Sequence, residues 1–219
     1  MAIESIPLRK LLKIMFLDAR AQRSSLVRDI GTDAARAAGR TGNGGDFHQP
    51  FWSDAKAHAL GERDLHASVT ARVASNRHYT NLYPRLRDGF LLWWNERRRW
   101  TNQPFRTGRS LSARFQVPGL DATVKIDNLL SVQDGGGVEH FVYPYFSEEP
   151  ALGEHAARLG LWVLGQAFPD VPHEELRILD VIRGRTFSID RNPLTGGEEE
   201  DFRERYVQLL TRRDELRDG

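Results

Sequence analysis

The rhythm of the apolar residues changes at Pro104 of this 219-residue chain, and that change constrains the fold more than any other feature. Before it, apolar side chains recur every three to four residues, the spacing of amphipathic helices. After it, stretches alternate residue by residue between glycine-rich turns, the spacing of strands. Helices followed by strands interleaved with helices predict a mixed α/β fold: a small central mixed sheet flanked by helices.

Pro7 suits the first turn of a helix, and residues 8–30 continue it as one amphipathic helix or two. An Ala-rich stretch at 33–38 leads into Gly39 and the run Gly42-Asn43-Gly44-Gly45, a hinge or disordered loop. Residues 1–45 thus read as an N-terminal helical extension, and 46–219 as the α/β domain. The extension is too small to fold alone, so it packs on the body or on a partner chain. Helical patterns follow at 54–75, interrupted near Gly61, and at 79–100. Beyond Pro104, strands are expected at 112–117, 122–132 and 138–146, with Asp134-Gly135-Gly136-Gly137 turning the last two into a hairpin. A helix at 151–168, strands at 176–182 and 186–189, and a charged helix at 198–217 complete the order.

With 40% hydrophobic and 28% charged residues, the composition is that of a globular chain, not a disordered one. The absence of cysteine removes disulfides, thiolate zinc sites and cysteine nucleophiles, and any metal must sit on His, Asp or Glu. The longest apolar run near the start, residues 11–17, is broken by Lys13 and falls short of the roughly 20 residues of a membrane span. No membrane partner is expected, and with no cleavage site near the start the expected location is cytoplasmic.

Helix, hairpin, helix, strand, with the first hairpin strand reading Val124-Lys125-Ile126-Asp127, resembles the core of the PD-(D/E)XK nuclease superfamily, closest to its RecB-like branch. The likeness spans residues 79–189 and implies a restriction-endonuclease-like core with Asp127 as the metal-binding aspartate. In that family the second strand carries Asp/Glu-x-Lys, two carboxylates holding Mg²⁺ and a lysine serving the attacking water. Here Tyr143 stands in the place of the second carboxylate and Tyr145 in that of the lysine. A neutral phenol does neither task well. In the next helix, where the branch shows Gln-x-x-x-Tyr, Arg158 and Trp162 occupy the two positions. The spacing is kept and the ligands are lost, which implies a catalytically degenerate relative: a nucleic-acid-binding or scaffolding subunit in a bacterial DNA-processing or defence system.

Two alternatives stand beside this reading. One is an active Mg²⁺- or Mn²⁺-dependent nuclease whose second carboxylate has migrated to Glu139, Glu148 or Glu154; of these, Glu139 on the partner strand is the candidate metal ligand beside Asp127. Otherwise no cofactor is expected. The other is a protein-binding module docking through residues 1–45.

The net charge of +1 says nothing about a polyanionic partner, but local clustering does. Arg85, Arg87, Arg97, Arg98, Arg99, Arg106, Arg109 and Arg114 are opposed only by Asp88 and Glu96, with Trp93, Trp94, Trp100 and Phe105 among them. Arginines grip phosphates and aromatics stack on bases, so this mixture marks a candidate DNA- or RNA-binding surface. Tyr143 to Phe146 is either core packing or a stacking platform. His58, Glu62 and His66 recur every four residues, but Gly61 makes a solvated stripe the better reading. Asp46 and His48 show no partner in sequence.

Overall fold

The computed structural model describes residues 3–39, 46–98 and 104–218, together with the backbone but not the side chains of Arg36, Arg97 and Arg98. The glycine run expected to form a loop lies outside the described residues.

The chain opens with β1 (Ser5–Pro7), α1 (Leu8–Met15) and α2 (Ala19–Ala37). The expected 8–30 helix is therefore two, because Phe16 closes α1 and Asp18 opens α2 by accepting the Ala21 N–H at 2.8 Å. Next come α3 (Gln49–Ala59), α4 (Leu65–Ser75) and α5 (Leu82–Arg98). Asp64 caps α4 through the Ala67 N–H at 2.7 Å. The strand-rich half is β2 (Arg106–Thr107), β3 (Ala113–Gln116), β4 (Thr123–Ile126), β5 (Leu130–Gln133), β6 (Glu139–Tyr145), α6 (Glu154–Ala167), β7 (Leu176–Asp180), β8 (Arg185–Ser188) and α7 (Glu198–Asp218).

The mixed α/β class holds, but the strands make two sheets where one was expected. One is ordered β1-β4-β3 and the other β2-β5-β6-β7-β8. The 122–132 segment, read as one strand, breaks at Asn128, whose φ of 61° turns the backbone out of extended geometry. Thus β4 pairs with β1 and β3, while β5 crosses into the second sheet to form the hairpin with β6.

The five-stranded sheet separates two apolar cores, as alternation along its strands requires. Phe141, Tyr143, Leu176 and Ile178 face α1, α6 and α7 on one side. Val142, Phe146, Leu179 and Val181 face α3, α4 and α5 on the other. Gly160 lets α6 come close to the sheet, for a Cβ there would lie 2.5 Å from Ile178 Cδ1 and 2.9 Å from Leu12 Cδ1.

Residues 3–15 are not an appendage. β1 pairs in parallel with β4, and Ile3, Ile6, Leu8, Leu11, Leu12 and Met15 are buried in the first core. The expected boundary at residue 45 therefore cuts through a shared core. Among the described residues, no helix is long and apolar enough to cross a membrane.

Candidate functional site

Parallel pairing of Pro7 with Lys125 places the start of α1 beside the end of β4, and so sets Arg9 next to Asp127. The Arg9 guanidinium lies 3.6 Å from Asp127 and donates to Asp46 Oδ2 at 2.5 Å. Its backbone N–H donates to the Tyr143 hydroxyl at 3.0 Å. Burial works against charge on Arg9, but neighbouring Tyr143, Asp46 and Asp127 outweigh it and raise its pKa above the ordinary value. Asp46 in turn accepts the His48 N–H at 3.0 Å and faces the His48 ring, which stacks on Phe146 at 4.7 Å. Hydrogen bonding to His48, with Arg9 beside it, holds the Asp46 carboxyl well below the usual range despite partial burial.

One guanidinium thus joins two aspartates from distant parts of the chain, over a buried phenol. Asp127 is legible from the sequence; Arg9 and His48 are not, because nothing local pairs them with residues so far away.

The two tyrosines are structural. Tyr143 is fully buried, and its hydroxyl accepts the Arg9 N–H. Tyr145 is 2% exposed and donates to the Pro150 carbonyl at 2.8 Å. Burial pushes both phenols up to about 12, so they stay neutral in the ordinary range. Neither they nor Phe146 forms an open stacking platform.

Glu139 is not beside Asp127. It pairs with Gln133 at the turn end of the β5–β6 hairpin, whereas Asp127 precedes the opposite end of β5. At about 3.3 Å per strand residue, β5 alone puts about 10 Å between its two ends. Glu139 is instead held by Arg109, accepting its backbone N–H at 2.7 Å and forming an ion pair with its Nε at 3.0 Å. Glu148 pairs with Arg85, and Glu154 with Arg185 at 3.0 Å. Among the described residues, no three His, Asp or Glu side chains are placed to hold a metal ion. His58 serves the α3–α4 turn by accepting the Leu65 N–H at 3.3 Å, so it shares no helical face with His66.

The arginine cluster divides. Arg85, Arg87 and Arg109 are paired with Glu148, Asp88 and Glu139. Trp93 and Trp94 are core residues. The side chains of Arg97 and Arg98, and Arg99 and Trp100 entirely, lie outside the described residues. Arg106 and Arg114 are exposed and have no acidic partner among the described residues; Arg114 stands opposite Lys125 across β3 and β4. Arg158, half-buried, sits 4.0 Å from Glu198, and Trp162 is packed between Phe115 and Phe202, so both positions of the Gln-x-x-x-Tyr spacing face neighbouring parts of the fold.

A cleft of about 670 Å³ opens elsewhere, along the β8 edge, and its lining includes Arg177, Arg183, Arg185 and Arg191. Three of these are already engaged, with Glu175, Asp180 and Glu154. Comparison with protein-family models, with curated proteins and with solved structures gave no match in any of the three.

Proposed function

We propose that this chain binds nucleic acid without cutting it, as a degenerate relative of the PD-(D/E)XK nucleases that works as a binding or scaffolding subunit, in keeping with a bacterial DNA-processing or defence system. The observation that carries this reading is the position of Arg9. A hydrolytic metal site needs carboxylates that converge on an open position holding water and a scissile phosphate. Here the charge of Asp127 and Asp46 is met by a guanidinium from the chain itself. Both tyrosine hydroxyls are already used within the fold. Arg106, Arg114 and Lys125 remain as cations for phosphate.

A second reading, an active Mg²⁺- or Mn²⁺-dependent nuclease, draws on Asp46. Among the described residues it is the carboxylate that shares a cation with Asp127, and it is not one of the three migrated candidates.

A cleavage assay on single-stranded and duplex DNA and RNA with Mg²⁺ or Mn²⁺, comparing wild type with Asp127→Ala, separates the two. The expected result is no cleavage by either protein and salt-dependent binding by both. Cleavage that disappears in Asp127→Ala overturns the proposal and establishes the second reading.

A further inference from the structure

The α2 helix sorts its charges by side. Its two acids turn inward: Asp29 is buried and accepts from Lys10 Nζ at 2.7 Å, and Asp33 accepts from Arg213 at 3.0 Å. Its outer face carries Arg20, Arg23 and Arg28, all exposed and with no acidic partner among the described residues. At 3.6 residues per turn the three spread over roughly 140° of the helix and about 12 Å of its length. Ser24, Val27, Gly31 and Ala34 lie between and beyond them, also exposed.

We infer that this face of α2 is a docking surface for the phosphodiester backbone of nucleic acid. The inference rests on the reading of the chain as a nucleic-acid-binding protein and names where the phosphates lie. Charge complementarity selects the partner, since the face is cationic without an acid. Duplex DNA carries one negative charge per ~1.7 Å of axis, so a 12 Å ridge runs beside several of them. Small side chains between the arginines let a polyanion approach the helix closely. An anionic membrane fits less well, because interfacial helices insert an apolar face and the large apolar side chain exposed here is Val27 alone. A protein partner fits less well for a related reason: such interfaces centre on buried aromatic and apolar anchors, which this face lacks.

Binding of the full chain to a fluorescent duplex and to a single strand, titrated with salt, tests the inference. Replacing Arg20, Arg23 and Arg28 together by Gln is expected to flatten the log–log salt slope by about 2.7, at ~0.9 per phosphate contact. Gly31→Glu supplies a second variant that should fold normally, because a Cβ at Gly31 meets nothing within 4 Å and Gly is a poor helix former. It is expected to weaken binding several-fold at a thermal midpoint no lower than that of wild type. If wild type binds but neither variant changes the slope, while Arg106→Gln with Arg114→Gln does, the α2 surface is overturned and the proposed function stands. If wild type binds no nucleic acid, or binds only phosphatidylserine vesicles, both are overturned.

Discussion

Asp127 and Asp180 both stand where a strand ends, yet the fold treats them differently. Asp180 closes β7 opposite Tyr145, is 1% exposed, and accepts the Leu152 N–H at 3.2 Å, the Arg183 N–H at 3.3 Å and the Arg183 guanidinium at 3.2 Å. Asp127 follows β4, is half-buried, and among the described residues has the 3.6 Å contact to Arg9 and an Asn128 amide at 3.5 Å. What separates an anchoring carboxylate from one held in reserve is the number of donors aimed at it and the water it has lost, not its place on a strand. Asp180 organises the 147–152 segment, since Arg183 also donates to the Ser147 carbonyl at 3.2 Å and the Glu148 carbonyl at 2.6 Å.

The largest effect therefore belongs to Asp180→Ala. Removing it leaves the Leu152 and Arg183 N–H groups without their acceptor and frees the half-buried Arg183 guanidinium, and at about 1–3 kcal/mol per stranded donor the cost is about 2–4 kcal/mol. Urea denaturation is expected to show a loss in that range, or no folded protein. A loss below ~1 kcal/mol would erase the contrast with Asp127.

Next in size is Tyr143→Phe. The phenol is buried beneath the Arg9 knot, and its loss leaves the Arg9 N–H without its acceptor, at about 1–2 kcal/mol. Tyr145→Phe removes a donor to Pro150 and is expected to cost less, because its hydroxyl is less deeply buried than that of Tyr143. If either phenol were a working part of a catalytic centre, the phenylalanine variant would leave stability intact and alter activity instead.

Sequence patterns carried the fold further than the site. The hairpin turn at Asp134 to Gly137, the α6 helix and the β7–β8 pair are all local, and local spacing revealed them. The split of 122–132 between two sheets was hidden, because a left-handed Asn128 interrupts a run whose alternation is otherwise continuous. At the site, Asp127 was visible by resemblance, whereas Arg9 and Asp46 meet across 37 residues of sequence and have no spacing to betray them. The basic face of α2 was masked in the same way: only folding turns Asp29 and Asp33 inward and leaves the arginines outside.

A smaller effect comes from pH. The Asp46 carboxyl sits below its ordinary value through His48 and Arg9, so its contribution to stability is complete above about pH 4, the unfolded-state value. It is lost as pH falls toward the folded value, since the unfolded chain then binds the proton more readily. With Asp46 about one-third exposed, solvent screening keeps the contribution below about 1 kcal/mol. Comparing urea midpoints at pH 7 and pH 3 for wild type and Asp46→Asn checks it. The variant should fall less than wild type, and an equal fall would place the acid sensitivity elsewhere.

The smallest effect is expected at the residue that most resembles a catalytic one. Asp127→Ala removes one long contact to Arg9, while Arg9 keeps its 2.5 Å bond to Asp46 and its backbone bond to Tyr143. Stability should change by no more than about 0.5 kcal/mol, the range of surface substitutions that break no buried network. A loss of ~2 kcal/mol would mean that Asp127 shares the anchoring role of Asp180, and the comparison between them would fail. A near-zero change, set beside the large cost at Asp180, would mean that the fold does not require this aspartate.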